Sequence, residues 1–373
     1  MTLNSPLATV TAMTDPPSSS TVSPRTSFRA ASRSPVDETM TRVLERIAEP
    51  LVLVERELHE QLASNIPLVT DLGEHILASG GKRLRPALLL LAAELCGYTG
   101  PRRIGVAAAI EMLHTATLLH DDVVDGADLR RGEPSVNSVW DNRRAVLGGD
   151  YLYARASTMV VEDGDVEILE LFASSIQRIA EGELRQLEES FKVEISERAY
   201  FEIIEGKSAV LLSGSCLAGA ILGGVTRAER RQVAAYGREL GLAFQLKDDA
   251  LDYDTAAEVL GKRRYADLAE GKVTLPLILT LKRCSGSERD LIAAAMKEVS
   301  KREPGSLQSA SPLASTEIEA VAGVVEQYHG VADTLRRADE SVNRAIDAIA
   351  AFPDSPAKQA LVATAVFAVS RDH

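Results

Sequence analysis

Residues 106–125 read VAAAIEMLHTATLLHDDVVD, an apolar stretch that closes on three aspartates. Residues 244–254 repeat this ending as FQLKDDALDYD. In both stretches the spacing Asp-Asp-x-x-Asp is attached to apolar sequence of helical periodicity, not to a run of charges. The two stretches therefore predict two helices, each of which ends in a cluster of carboxylates at the mouth of an apolar core.

The helical pattern extends outward from these stretches over residues 37–373. Ala, Leu, Glu and Arg dominate, apolar residues recur at i, i+3, i+4 and i+7, and alternating β-branched strands are absent. The breaks are short and rich in Gly or Pro, as in GYTGP at 97–101 and EDGD at 162–165, so none reads as a linker between domains. We expect a single all-α domain over residues 37–373, built as a helical bundle.

Residues 1–36 differ in composition from the rest of the chain. They are rich in Ser, Thr and Pro, and they contain one acidic residue, Asp15, beside Arg25, Arg29 and Arg33. Because no apolar period runs through them, we expect a disordered N-terminal extension. The composition also fits an organellar targeting segment. We expect a cytoplasmic protein, with organellar targeting by this extension as the open alternative.

Charge and cysteine content exclude several classes of function. Lys and Arg number 41 against 54 Asp and Glu, a net charge of −13, which disfavours binding to nucleic acid. The three cysteines are widely spaced, so they form neither a disulfide framework nor a cysteine zinc site. The uncharged stretch 208–226 is rich in Gly, Ser and Ala, and the apolar stretch 86–95 is too short to span a bilayer. We predict that both are buried helices and not membrane spans.

The two aspartate triples form a candidate metal site. Residues i and i+4 project from the same side of a helix, so Asp121 pairs with Asp125 and Asp248 pairs with Asp252. Two carboxylates at 4 Å repel by about 1 kcal/mol in water and by about 4 kcal/mol at an effective dielectric constant of 20. A ligand set of oxygens alone favours Mg²⁺, with Mn²⁺ as an alternative, and Mg²⁺ typically bridges carboxylates to substrate phosphates. The candidate ligands are Asp121, Asp122, Asp125, Asp248, Asp249 and Asp252.

Basic residues next to helix breaks provide direct contacts for a diphosphate. Lys82 and Arg85 lie in GGKRLRP, at a predicted helix start where backbone N–H groups favour anions. Arg130 and Arg131 directly follow the first aspartate triple, and an arginine can bind two phosphate oxygens at once. Further candidates are Lys207, Lys262 and Lys272. The sequence therefore predicts a diphosphate held by magnesium and by these cations.

These segments together resemble the trans-isoprenyl diphosphate synthases, also called polyprenyl synthetases. The matching segments follow the order and spacing of that family over residues 40–373: GGKRLRP, LLHDDVVDGADLRRG, GKSAVL, FQLKDDALDYD and DLAEGKVTLPL. The likeness is strongest to bacterial octaprenyl-type enzymes of quinone side-chain synthesis. It implies the isoprenoid synthase fold, an all-α bundle around a deep central cavity. It also implies a Mg²⁺-dependent condensation of isopentenyl diphosphate with an allylic diphosphate, geranyl or farnesyl.

The resemblance further implies roles for individual positions. It assigns isopentenyl diphosphate to Lys82, Arg85, His114 and Arg131. It assigns the allylic diphosphate to Arg130, Lys207, Ser208, Gln245 and Lys262. It assigns three Mg²⁺ ions to Asp121, Asp125, Asp248 and Asp252, and it places Asp121, Asp125, Lys207 and Asp248 nearest to the chemistry. The sequence departs from the family pattern in having Ser208 in place of Thr, Lys247 in place of an apolar residue and Tyr265 in place of Gly.

Product length depends on the residues one helical turn below the first aspartate triple. Ala116 and Thr117 stand there, and both are small, whereas similar enzymes with short products have bulky aromatic residues. We therefore expect an open tunnel, with a floor near Met159. The expected product of an open tunnel is long, about C40–C50, and each of its buried CH₂ groups would strengthen its binding by about 0.8 kcal/mol. Release of such a product would be slow, and contact with a membrane surface would speed it.

Alternatives remain at this stage. A tunnel closed below Ala116 would give a C15–C20 product. A class I terpene cyclase shares the fold, but it lacks the second aspartate triple and the GGKRLRP segment. A non-catalytic subunit of a heteromeric synthase usually loses one or both triples, and both are intact here. Because oligomers of this fold commonly pair helices across a two-fold axis, we expect a homodimer.

Overall fold

The structure is a computed structural model that describes residues 41, 43, 45–78, 81–130, 133–253, 265–300 and 312–370. The predicted N-terminal extension, Arg131 and Lys262 lie outside the described residues. The prediction of disorder over residues 1–36 and the diphosphate roles of these two side chains therefore stay predictions.

Helices account for almost all of the described structure, which confirms the all-α fold class. They are α1 (Ala48–Leu62), α2 (Pro67–Ala78), α3 (Leu84–Leu95), α4 (Arg102–Val124), α5 (Val136–Val139), α6 (Asn142–Asp163), α7 (Val166–Glu189), α8 (Glu197–Ile204), α9 (Val210–Leu222), α10 (Arg227–Leu251), α11 (Ala266–Ala269), α12 (Leu275–Leu281), α13 (Gly286–Val299), α14 (Pro312–Gln327), α15 (Gly330–Ala348) and α16 (Pro356–Ser370). A π-helical turn, Glu205–Ala209, joins α8 to α9. Strands β1 (Leu129–Arg130) and β2 (Glu133–Pro134) form a small antiparallel pair after α4.

The centre of the bundle is formed by α3 and α9. Every residue from Pro86 to Ala93 is buried, and so is most of α9. A helix that is apolar on all sides must be surrounded by other helices, which α4, α7, α10 and α16 provide here. Residues 86–95 and the larger part of 208–226 are therefore buried helices, as predicted. None of the helices in the described ranges has both the length and the apolar character needed to cross a bilayer.

The two aspartate triples lie at the C-terminal ends of α4 and α10. The Asp125 amide donates to the Asp121 carbonyl at 2.8 Å, and the Asp252 amide donates to the Asp248 carbonyl at 3.1 Å, so each triple closes its helix. The C-terminal end of a helix carries partial negative charge, which disfavours carboxylates. Cations close to these two helix ends would therefore stabilise the fold as well as the site.

The helices α3 and α9 approach each other most closely at Gly219. A Cβ atom there would lie 2.6 Å from both the Ala93 nitrogen and the Leu89 oxygen. Glycine is thus required at this position because the backbone of α3 occupies the space of any side chain.

We predict that Gly219→Ala lowers the free energy of unfolding by about 1–3 kcal/mol, as over-packed cores do. The control is Gly105→Ala in α4, where a Cβ would meet nothing within 4 Å. That change should raise stability by about 0.4–1 kcal/mol, because alanine restricts the unfolded chain. Urea denaturation followed by circular dichroism measures both, and equal effects of the two changes would contradict the packing of α3 on α9.

Candidate active site

The three carboxylates of the first triple have different surroundings. Asp122 is only 2% exposed, and its two carboxylate oxygens accept hydrogen bonds from Arg130 Nε at 2.7 and 2.9 Å. Asp121 and Asp125 are partly exposed. Asp122 therefore holds β1 against the end of α4, and the other two carboxylates remain accessible at the mouth of the core.

The electrostatic surroundings of Asp121 are strongly negative. Burial, assisted by the charges of Glu183 and Asp125, raises the pKa of Asp121 to about 6, although Lys207 and Arg130 act in the opposite direction. Carboxylates in this situation gain from a bound cation, which removes their mutual repulsion. Glu183, on α7, is a residue that sequence reasoning missed, since it lies in an ordinary amphipathic helix with no motif to mark it.

In the second triple, Asp249 is the centre of a buried hydrogen-bond chain. Its Oδ2 accepts from the Tyr200 hydroxyl at 2.6 Å, and its Oδ1 accepts from Gln245 Nε2 at 2.8 Å. The Gln245 Oε1 in turn accepts from Ser208 Oγ at 2.5 Å. Asp249 thereby orients two residues that the family resemblance assigned to the allylic diphosphate. Tyr200 carries no motif, and its role is visible only in the folded chain.

The last carboxylate of the second triple binds a neighbouring backbone segment. Asp252 Oδ1 accepts from the Ala266 amide at 2.9 Å, and Oδ2 accepts from the Asp267 amide at 3.3 Å, so Asp252 caps α11. Asp248, one turn earlier, is exposed. The second triple thus has one capping, one buried and one exposed carboxylate.

Tyr265 stands where the family pattern has glycine, and its backbone has the conformation that glycine adopts easily. Its φ is 58°, in the left-handed region, which costs an ordinary L-residue about 1–2 kcal/mol. The Tyr265 ring packs edge-on against Tyr253, with ring centroids 5.8 Å apart. Tyrosine at this position therefore has a backbone conformation that glycine would adopt without the same cost.

Two lysines lie between the triples. Lys207 Nζ donates to Glu183 Oε2 at 3.0 Å. Lys272 Nζ is 4.0 Å from Asp125 Oδ2 and 2.5 Å from Glu270 Oε2. Burial opposes the charged form of Lys272, but the carboxylates of Asp125, Glu270 and Asp267 raise its pKa above the ordinary lysine value. Lys272 thus lies close to Asp125 of the first triple, and both lysines line one cavity with Asp249 of the second.

The remaining sequence-predicted residues line two polar cavities. One, of about 600 Å³, contains Lys207, Ser208, Gln245, Asp249, Asp267 and Lys272. The other, of about 560 Å³, contains His114 and Arg130 together with Arg83, Glu111, Asp122 and Ser135. The structure thus groups Lys207 with Ser208 and Gln245, as the resemblance implies, but it places Arg130 beside His114. Asp267 is not among the predicted site residues, although it begins DLAEGKVTLPL, one of the segments that carry the family resemblance.

The basic segment before α3 is anchored by a residue between the two predicted ligands. Arg83 has a left-handed φ of 43° and forms a salt bridge with Glu55, and its Nη1 is 3.1 Å from Glu111 Oε1. Lys82 is exposed, and Arg85 lies in the first turn of α3. The anchoring pairs are distant in sequence, so the motif alone could not reveal them.

An apolar cavity of about 300 Å³ lies deeper in the bundle. Its walls include Val106, Ile110 and Leu113 of α4, Val160 of α6 and Phe172 of α7. The three α4 residues lie on the same helix face as Thr117 and Asp121, because they recur at intervals of three and four. Ala116 is 2% exposed. The cavity reaches α6 at Val160, next to the predicted floor residue Met159.

The donor chemistry of the site fits a hard divalent cation. In the described part of the chain, no three His, Cys, Asp or Glu side chains are grouped closely enough to hold a metal ion together. The accessible carboxylates nevertheless offer oxygen ligands only, and burial together with the carboxylates of Glu183 and Asp125 raises the pKa of Asp121, a situation that a bound cation would relieve.

A family model, related sequences and solved structures all match this chain to the polyprenyl synthetases. The sequence model of the polyprenyl synthetase family matches residues 66–311. The octaprenyl diphosphate synthase of Haemophilus influenzae is 38% identical over 331 residues, which is 88% of this chain and 97% of that protein. The octaprenyl diphosphate synthase of Escherichia coli is 37% identical over 333 residues, 89% of this chain and 99% of that protein. A polyprenyl synthase from Caulobacter crescentus, crystallised with calcium and isoprenyl diphosphate, superposes with a TM-score of 0.82 at 37% identity and covers 90% of this chain and 98% of that one.

Proposed function

The chain belongs to the polyprenyl synthetase family and is a trans-prenyltransferase, and from this premise we propose that it is a Mg²⁺-dependent, long-chain polyprenyl diphosphate synthase. It would add isopentenyl diphosphate repeatedly to a geranyl or farnesyl diphosphate primer. The observation that supports this proposal best is the pair of intact aspartate triples: Lys272 is 4.0 Å from Asp125 of the first, and it lines one cavity with Lys207 and with Asp249 of the second. A non-catalytic subunit would have no use for this arrangement.

The diphosphates would bind in the polar cavities, and the hydrocarbon chain would occupy the apolar one. In each cycle the allylic C–O bond breaks, a C–C bond forms to isopentenyl diphosphate, and the departing diphosphate takes up the proton whose loss restores the double bond. Bound magnesium would neutralise charge on the departing diphosphate. Lys207 and Lys272 hold further positive charge at the same place, which stabilises the charge that develops in the transition state. Ser208, oriented by Gln245, offers a hydroxyl to a phosphate oxygen. The apolar walls below Thr117 keep water from the allylic cation.

The proposal includes three Mg²⁺ ions, and it divides the six aspartates into metal ligands and supporting residues. Asp121, Asp125 and Asp248 are the accessible carboxylates and would bind the metal ions. Asp252 would join them only if it released the amides that it now caps. Asp122 and Asp249 would act indirectly, because both are buried and bonded to neighbouring side chains.

We predict that Asp121→Asn reduces kcat by about 10²-fold or more, the scale on which loss of one transition-state electrostatic contact acts. The measurement is incorporation of labelled isopentenyl diphosphate with a farnesyl primer at increasing Mg²⁺. The control, Asp354→Asn, changes a carboxylate that is 92% exposed and should leave kcat unchanged. Full turnover by an Asp121→Asn protein with a normal helical circular dichroism spectrum would exclude the metal role of this residue.

Product length provides a second test. The wild-type product should measure about eight to ten isoprene units by mass spectrometry, since the tunnel below Asp121 is apolar and its upper residues are small. Ala116→Phe and Thr117→Phe should both shorten it, because a ring would fill the tunnel above Leu113. Ala294→Phe, at an exposed position of α13, is the matched control. An unchanged product from both tunnel variants would mean that the chain grows elsewhere, and a wild-type C15–C20 product would favour the short-chain alternative.

We also propose a homodimer formed through α6 and α7. Leu147, Ala154 and Val161 recur every seven residues on α6, and all three are exposed. Val161 is 61% exposed, and Val166, at the start of α7, is 65% exposed. Exposed apolar residues that recur along one side of a helix are typical of a surface that a partner covers, and a second copy is the occupant that a two-fold helix pair would supply.

Light scattering after size-exclusion chromatography should give twice the chain mass of 40.1 kDa. Replacing Leu147 and Val161 by Glu should shift the mass towards one chain, because it places charges on this apolar surface. Val366→Glu, at an apolar residue of α16 that is 43% exposed, should not. A wild-type mass of 40 kDa would contradict the dimer.

A further inference from the structure

The π-helical turn Glu205–Ala209 is the element from which Lys207 and Ser208 project. Turns of this kind are rare and are frequent at functional sites, since the extra residue redirects the side chains around it. We propose that Glu205 is a positioning residue that fixes this turn and thereby sets Lys207 and Ser208 for the allylic diphosphate. The inference rests on the proposed function, because it concerns the same primer.

Glu205 connects the turn to two helices at once. Its Oε1 accepts a hydrogen bond from Arg178 Nη2 of α7 at 2.7 Å, and its Oε2 accepts from Arg238 Nη2 of α10 at 2.6 Å. Its side chain is 25% exposed, so the two ion pairs are only partly screened by water. Each carboxylate oxygen therefore holds the turn to a different neighbouring helix.

The backbone of the turn lies directly on α7. A Cβ at Gly206 would be 2.8 Å from the Arg178 carbonyl oxygen, and a Cβ at Gly182 would be 3.0 Å from the Lys207 nitrogen. No side chain separates the two backbones at this point, so a small rotation of the turn moves Lys207 relative to α7. The hydrogen bonds that Arg178 and Arg238 donate to Glu205, the first residue of the turn, oppose that rotation.

The two site residues contact the same two helices that Glu205 holds. Lys207 Nζ reaches Glu183 of α7 at 3.0 Å, and Ser208 Oγ reaches Gln245 of α10 at 2.5 Å. Loss of the Glu205 contacts should therefore loosen both. Of the side chains assigned to isopentenyl diphosphate, Lys82, Arg85 and His114 lie on or just before α3 and on α4, and they should be unaffected.

The test is Glu205→Gln, which keeps the shape of the side chain and removes its charge. The matched control is Glu239→Gln, because Glu239 also binds Arg238, at 2.6 Å, and Arg344, at 2.8 Å, but lies outside the turn. The readouts are the KM values for farnesyl and isopentenyl diphosphate, the Tm, and a Kd measured by calorimetry. The Kd is that of an unreactive farnesyl diphosphate analogue, whose bond between the farnesyl group and the diphosphate does not break, in the presence of Mg²⁺.

We expect Glu205→Gln to raise the farnesyl KM and the analogue Kd about tenfold, within the effect of misplacing a binding group. The isopentenyl KM should change less than twofold, and Glu205→Asp should recover part of the loss. Glu239→Gln should lower Tm similarly without changing either KM. Equal behaviour of the two Gln variants would overturn the positioning role.

If Glu205→Gln did not fold, Arg178→Gln would provide the same test, because this arginine is 49% exposed and pairs with Glu205 at 2.7 Å. A wild-type protein without prenyltransferase activity would instead contradict the proposed function. Binding of the farnesyl analogue would still report on Glu205 in that case.

Discussion

Electrostatic repulsion among carboxylates at the ends of α4 and α10 is the constraint on which the rest of the site depends. The carboxylates stand where the two helix dipoles already concentrate negative charge. Three devices counter that charge: Arg130 neutralises Asp122, backbone amides satisfy Asp252, and Lys272 lies beside Asp125. Burial and neighbouring carboxylates nevertheless raise the pKa of Asp121 to about 6 and that of Asp252 to about 7. The chain alone thus leaves negative charge uncompensated at the two helix ends, and on the proposed function a magnesium-bound diphosphate would offset it.

The surrounding helices determine where the charged site lies relative to the apolar cavity. Both α4 and α10 pack against α9 in the centre of the bundle, and Lys207 and Lys272 lie between the two aspartate triples. The face of α4 that presents Asp121 continues downward through Thr117 to Leu113, Ile110 and Val106. On the proposed function, the polar chemistry and the growing product would lie at two ends of a single helix face, and growth would move the product away from the charges.

Much of this could be predicted from the sequence, because the signals are local. The stretch 86–95 is apolar on every side, which only a buried helix explains, and the aspartate triples mark their own helix ends. The missing parts are contacts between distant residues. Glu183 beside Asp121, Tyr200 beneath Asp249 and Glu111 beside Arg83 become neighbours only when helices pack. The π-helical turn escaped for a related reason: its hydrogen-bond register depends on close packing of Gly206 on Gly182, which no periodicity encodes.

The left-handed backbone at Tyr265 has an evolutionary consequence. Its conformational cost and its ring contact with Tyr253 belong to one substitution, so the two tyrosines are coupled. Return to glycine at 265 would relieve the backbone and at the same moment leave the Tyr253 ring without its neighbour. A lineage that acquired this pair therefore faces a barrier to losing either member alone. The expected trace in related sequences is covariation, with an aromatic residue at 253 accompanying a non-glycine residue at 265.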